Sequence, residues 1–138
     1  MEEDLIRAIA VLNTRLRHAL DRRLRPLGLS EVNYYYLLVI SEQPGINQAA
    51  LIDRVARDQS SVTRQVDRLT RQGWLKKERS ATDARQSALF LTPKAEQLLP
   101  QLWQLTEEVN AAALSGLSAA ERATLLQLLD RSYRGLAE

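Results

Sequence analysis

The sequence predicts a mainly α-helical protein carrying one small antiparallel β-hairpin, and three observations lead there. Long segments at both ends repeat leucine at spacings of three and four, the mark of helices with one apolar stripe. Between them, short apolar-periodic segments are separated by turn and cap residues, the pattern of brief helices folded against one another. One pair of strand-like segments then flanks the charged loop Ser80-Ala81-Thr82-Asp83-Ala84-Arg85-Gln86, which would stand out like the tip of a wing.

Residues 4–25 place Leu5, Ile9, Leu12, Leu16, Leu20 and Leu24 along one side of a first helix. Arg22, Arg23 and Arg25 occupy its last turn, where cations suit the helix dipole, and Pro26 and Gly28 end it. Ser30 has the chemistry of an N-cap for a second helix reaching about Glu42. Val32, Tyr34, Tyr35, Tyr36, Leu37, Leu38, Val39 and Ile40 surround that helix with apolar or aromatic groups, so burial on most sides is expected. Pro44-Gly45 marks a turn. Asn47 can cap a third helix with Leu51, Ile52 and Val55 inward, and Asp58 a fourth that runs to about Gln72 and stops at Gly73.

Trp74–Arg79 and Ser87–Thr92 read as two antiparallel strands, with Leu89 and Leu91 on one face and Ala88 and Phe90 on the other. Thr92-Pro93, a cap followed by a proline at the first helical position, opens a long fifth helix carrying Leu98, Leu102, Leu105 and Val109. Pro100 inside it is expected to kink it or force a short break, and Gly116 to close it. Ser118 and Glu121 have the spacing of a capping box for a last helix bearing Leu125, Leu128, Leu129 and Tyr133.

At 138 residues, 45% hydrophobic and 26% charged, the chain has the length and composition of one globular domain. No apolar run approaches the length of a membrane span, and the acidic start Met1-Glu2-Glu3-Asp4 is unlike a secretory signal. A cytoplasmic protein with no membrane partner is therefore expected. The absence of cysteine removes disulfides, thiol redox switching and thiolate metal sites. One histidine, His18, leaves little room for a zinc site or a His-based triad. No cofactor is expected.

Charge is unevenly spread. From Arg54 to Arg85 there are nine basic and four acidic residues, a surplus of five, whereas the rest of the chain carries a deficit of three. A basic middle between near-neutral or acidic flanks suits contact with phosphates at one face. In the fourth helix, Val62, Val66 and Leu69 share one side, while Ser60, Ser61, Arg64, Arg68 and Arg71 fall opposite, with Asp67 near the edge. Short hydroxyls allow close approach to a major groove, and arginine can reach O6 and N7 of guanine bidentately. The plainer reading is a solvated amphipathic helix with Asp67 paired to Arg64 or Arg71. In the loop, Arg85 is suited to a narrow minor groove, with Asp83 orienting its guanidinium or pinning the turn. The plainer reading there is a surface ion pair, worth about 0–1 kcal/mol.

The run Gln59-Ser60-Ser61-Val62-Thr63-Arg64-Gln65-Val66-Asp67-Arg68-Leu69 resembles the recognition helix of the MarR family of transcriptional regulators. Gly73-Trp74-Leu75, then Asp83-Ala84-Arg85, then Leu91-Thr92, resembles that family's wing with its Asp-x-Arg tip. The resemblance extends over nearly the whole chain. It implies a winged helix-turn-helix fold and an obligate homodimer, in which residues 30–92 read DNA and residues 1–29 and 93–138 form an intertwined helical dimerisation region. By position, Ser60, Ser61, Thr63, Arg64 and Arg68 would face the major groove, and Arg85, supported by Asp83, the minor groove. The expected partner is double-stranded DNA with a palindromic operator, its half-sites one helical turn or roughly 34–36 Å apart. Three long leucine-striped helices, more than a small winged core needs to cover, agree with a dimer. Repression is the sign the resemblance implies.

Members of the family are often released from DNA by a small aromatic compound or by cysteine oxidation. The second route is closed to a chain without cysteine. A ligand pocket would draw on the first, second and fifth helices, with His18, Tyr34, Tyr35, Tyr36 and Trp103 as candidates. Tyrosines on a buried helix are also ordinary core residues, and His18 reads equally as a partly exposed surface group. Three rival functions compete with this reading. An enzyme would need a phosphate loop, a dinucleotide motif or a metal-ligand cluster, and none is present; Glu107 and Glu108 point about 100° apart on a helix, a poor acid/base pair. A helical protein-interaction module would need neither Arg85 at a loop tip nor a basic middle. RNA binding would call for paired exposed aromatics on a sheet, which the strands lack.

Overall fold

Among the described residues six helices form, each opened by a side chain that accepts from a backbone N–H group left over in the first turn. In the computed structural model, which describes residues 4–136 apart from 56 and 84, α1 spans Leu5–Leu24, and the Asp4 carboxylate accepts from the N–H groups of Ile6 and Arg7. A 3-10 turn, Arg25–Leu27, follows, and Gly28 at φ 77° reverses the chain in a conformation that would strain any side chain. Ser30 caps α2, Glu31–Glu42. Ahead of α3, Gln48–Val55, the Asn47 side chain accepts from the Ala50 N–H at 2.8 Å. Asp58 caps α4, Gln59–Arg71, and Thr92 caps α5, Pro93–Ala113. Ser118 and Glu121 complete both halves of the capping box that opens α6, Ala119–Arg134.

The sheet has three strands where two were expected. β1, Ile46–Asn47, pairs antiparallel with β3, Ser87–Leu91, and β3 pairs with β2, Leu75–Arg79, giving the order β1-β3-β2. The hairpin register runs from Leu75 opposite Leu91 to Arg79 opposite Ser87. A two-residue strand carries no alternation to detect; Ile46 is extended because Leu89 lies across from it. Trp74 and Thr92 fall just outside the ladder. The Thr92 hydroxyl donates to the Gly73 carbonyl at 2.6 Å and accepts from the Ala95 N–H, so it serves as a helix cap and a hairpin clasp together. Pro100 does not break α5, which continues through it for 21 residues. The carbonyl of Glu96, which loses its partner there, belongs to an exposed residue, so water can take the bond.

The core collects around α2. Leu37 and Ile40 are fully buried with Leu24 of α1, Leu51 of α3, Val62, Val66 and Leu69 of α4, Leu75 and Leu89 of the hairpin, and Leu102 of α5. Each such side chain contributes about 1.5–3 kcal/mol by leaving water. Tyr35 departs from the expected all-round burial of α2, at 45% exposure. The α1 stripe fades toward its start: Leu24 is buried, Leu20 and Leu16 are half-buried, and Leu12, Ile9 and Leu5 are exposed. No residue of α6 is buried, and Leu126, Leu128, Leu129 and Tyr133 lie open. Among the described residues, no helix is long and apolar enough to cross a membrane.

Candidate nucleic-acid interface

The outward face of α4 is set by what its inward face must bury. Val62, Val66 and Leu69 have no accessible surface, which turns Ser60, Arg64, Arg68 and Arg71 to solvent. The helix is held in place by polar ties that the sequence did not reveal. The Gln48 side-chain amide of α3 donates to the Thr63 hydroxyl at 2.6 Å. The Gln65 amide donates to the side-chain oxygen of Asn33 in α2, and the Ser30 hydroxyl donates to that same oxygen at 3.0 Å. Asn33 is the buried polar residue of the core, and these bonds satisfy it. Glutamine, threonine and asparagine far apart in the chain carry no motif, so no sequence signal could have paired them.

At the start of α4, Asp58 accepts from the Ser61 N–H at 2.8 Å and from the Ser61 hydroxyl at 2.7 Å. Those two bonds hold the Asp58 carboxyl below the usual carboxylate range. Ser61 has thus spent its hydroxyl proton on the cap and is half-buried, as is Thr63, whose hydroxyl accepts from Gln48. Asp67 does not pair with Arg64 or Arg71. Lys77 of β2 reaches it at 2.8 Å, and that bond and charge lower its carboxyl. Hence, among the described residues, Arg64, Arg68 and Arg71 have no carboxylate within 4 Å. Three guanidiniums sit in a row on one exposed face with their charge unspent.

The loop beside them is organised by its own backbone. The Ser80 hydroxyl accepts from the N–H groups of Thr82 and Asp83, both at 3.3 Å, and the Ser80 N–H closes the loop on the Gln86 carbonyl. Asp83 accepts from the Arg85 N–H at 2.9 Å, an Asx turn that pins the tip. Asp83 thus pins the turn rather than orienting the Arg85 guanidinium, which lies beyond 4 Å of its carboxylate. Arg85 is left exposed at the tip. Residue 84, the middle of the Asp-x-Arg tip, lies outside the described residues.

A cavity of about 380 Å³ opens where α1, α2 and α5 meet. Tyr34, Tyr35 and Tyr36 all line it, with Leu16, Leu20, Val32 and Val109 as apolar wall and Asn13, Arg17, Glu31, Thr106 and Asn110 as polar lining. Burial pushes the Tyr34 phenol up, with the nearby Glu31 carboxylate adding to it, and burial likewise raises Tyr36. His18 is not part of this lining. It lies opposite the leucine stripe of α1, over shallow hollows shared with Arg15, Asp21, Arg22 and Arg25. Trp103 stands 42% exposed, turned away from the buried Leu102 beside it, and is not among the cavity's lining residues. A smaller recess of about 250 Å³ lies between α2 and α4, lined by Val32, Tyr36, Arg57, Ser61, Arg64, Gln65 and Arg68. Among the described residues, no group of three His, Asp or Glu is placed to hold a metal ion.

Known proteins share this arrangement. The uncharacterized HTH-type transcriptional regulator YybA of Bacillus subtilis is 30% identical over 133 residues, spanning 96% of this chain and 89% of YybA. A candidate regulatory protein for the hcr operon of Thauera aromatica is 36% identical over 107 residues, or 78% of this chain; the match spans 64% of that protein's length. Among solved structures, a candidate MarR family regulator of Listeria monocytogenes in complex with 26mer DNA superposes with a TM-score of 0.90. Its identity is 29%, with 98% of this chain and 90% of that one covered. The MarR family model itself matches residues 27–86, from the turn after α1 to the end of the wing loop. The fold is a winged helix-turn-helix, and the chain belongs to the MarR family of DNA-binding transcriptional regulators.

Proposed function

We propose that this regulator is a homodimeric repressor that reads a palindromic double-stranded operator and is released from it by a small aromatic ligand. The observation that carries this reading is the row of unpaired guanidiniums on α4 beside an exposed Arg85 on the wing. Laid in a major groove, α4 presents Ser60, Arg64 and Arg68 to base edges, with Arg71, Ser61 and Thr63 nearer the backbone. Arg85 enters the neighbouring minor groove from a tip that Asp83 keeps rigid. The Listeria relative crystallised with DNA supports the partner.

Residues 30–92 form the reading region, and residues 1–29 with 93–138 the dimerisation region. The exposed leucines of α6 and the first half of α1 support that division, because a second copy would cover them. Two copies of α4 then span half-sites roughly 34–36 Å apart. The ligand site is the cavity holding Tyr34, Tyr35 and Tyr36, whose volume falls within the small-molecule range of about 300–1,000 Å³. Bound at its operator, such a dimer excludes other proteins from the same stretch of DNA.

The test is selection of random duplex DNA by the purified protein, with the bound fraction sequenced over several rounds. Enrichment of one inverted repeat, half-sites one turn apart, is the expected result. Weak binding with no enriched motif would instead favour a helical protein-interaction module.

A further inference from the structure

The apolar face of α4 holds the helix against the core, but apolar contact has no direction and leaves the roll of the helix about its own axis loosely set. Two polar ties supply the direction. At about 100° per residue, Thr63 and Gln65 stand on opposite flanks of the line formed by Val62, Val66 and Leu69. On one flank the side-chain amide of Gln48, the first residue of α3, donates to the Thr63 hydroxyl at 2.6 Å. On the other, the Gln65 amide donates to the side-chain oxygen of Asn33, in the first turn of α2. Asn33 is itself fixed. Its N–H donates to the Ser30 hydroxyl at 3.3 Å, and that hydroxyl donates back to its side-chain oxygen at 3.0 Å. At 7% exposure Asn33 is the one buried polar residue among the described residues, so it is out of reach of DNA. Gln65 stands in the recess beside Arg64 and Arg68.

We propose that Asn33 and Gln48 are positioning residues for base discrimination: through Gln65 and Thr63 they lock the roll of α4, so that Arg64 and Arg68 meet base edges and not phosphates alone. This role rests on the operator reading proposed above and names what aims it. A roll of about 20° carries a group about 6 Å from the helix axis through about 2 Å. A bidentate contact with guanine needs donor–acceptor distances of about 2.7–3.2 Å, so such a roll forfeits it. A phosphate contact survives the same roll, because charge attraction falls slowly with distance and the flexible arginine stem can follow. Burial alone does not call for Asn33. A polar side chain in a core costs stability unless its bonds are made, and an apolar residue of like size would fill the space as well. What Asn33 adds is a single arrangement, since a satisfied buried network specifies one packing where apolar surfaces accept several.

The experiment compares the parent chain with Asn33→Leu and Gln48→Met, each titrated with the parent's selected operator and with random duplex DNA of equal length. Asn33→Leu should keep the parent's circular dichroism and an unfolding midpoint close to the parent's. Its affinity for random duplex, and the salt dependence of that affinity, should also match the parent, since the arginines still reach phosphates. Its preference for operator over random duplex should fall about tenfold, within the worth of one well-aimed bidentate pair. Gln48→Met should act in the same direction, and it carries the test should Asn33→Leu not fold. The proposal is overturned by a parent-like preference for operator in the folded variants. It is also overturned by equal losses on operator and on random duplex, which would mark a merely structural role for both residues. Failure of the parent to select any operator would instead strike the operator reading itself.

Discussion

The winged middle of the chain and its helical ends use leucine in opposite ways. In α4, Val62, Val66 and Leu69 are wholly buried, and the face left outside carries Arg64, Arg68 and Arg71, which among the described residues have no carboxylate within 4 Å. In α6, no residue is buried, and the apolar stripe itself faces outward. Both helices are amphipathic, yet only one has its counterpart within the chain. The middle is finished by its own contacts and exposes charge; the ends expose carbon. Charge left outside is available to an anion, whereas apolar surface left outside is available to more apolar surface.

The strongest way to break this comparison is to spoil the exposed stripe. Leu129→Asp, at a position 38% exposed, should leave the fold of one chain intact but yield a monomer in sedimentation. Losing the second half-site should weaken operator binding by about 10²–10⁴-fold. A variant that stays dimeric would mean that α6 faces solvent in the working protein. In the middle, Leu69→Ala should cost about 2–5 kcal/mol in denaturant unfolding, because its neighbours cannot fully close the void. A loss below about 0.5 kcal/mol, as at ordinary surface sites, would show that the α4 face is not the closed core described here.

Smaller effects sharpen the charge side. Arg64→Ala and Arg85→Ala should each cost about 1–3 kcal/mol of operator affinity while leaving dimer mass unchanged. Affinity of the parent should fall steeply with salt, through release of counterions from the DNA. Operator binding equal to the parent in both variants, or a flat salt dependence, would remove α4 and the wing from the interface. The smallest effect concerns the α4 cap. Bonds from Ser61 lower the Asp58 carboxyl in the folded state, so the stability it adds is present above its unfolded value, about 3.9, and is lost as pH falls through the lower folded value. Asp58→Asn keeps a capping oxygen without the titration, so the gap in Tm between parent and variant should shrink on acidification. A gap independent of pH would show that the cap charge adds nothing.

The candidate site was legible in the sequence wherever it depends on neighbours three or four residues apart. Ser30, Asp58, Thr92 and Ser118 cap the helices they were expected to cap, and the arginine face of α4 follows from helical spacing. The three tyrosines did meet in one cavity, because α2 turns all of them toward or beside α1 and α5. His18 and Trp103 did not join them, since aromatic character says nothing about the side of the helix a residue occupies. Asp67 found Lys77 on the neighbouring strand β2 rather than an arginine on its own helix.

What the sequence determined by itself was therefore local: six helices, a hairpin, a charged tip and the direction of the α4 arginines. Those follow from backbone hydrogen bonds and helical repeat, which act over a few residues. Only the tertiary structure decided the third strand and the ties of Gln48 to Thr63 and Gln65 to Asn33. Each of these joins groups at least 15 residues apart, and no periodicity links such groups before the chain has folded and brought their surfaces together.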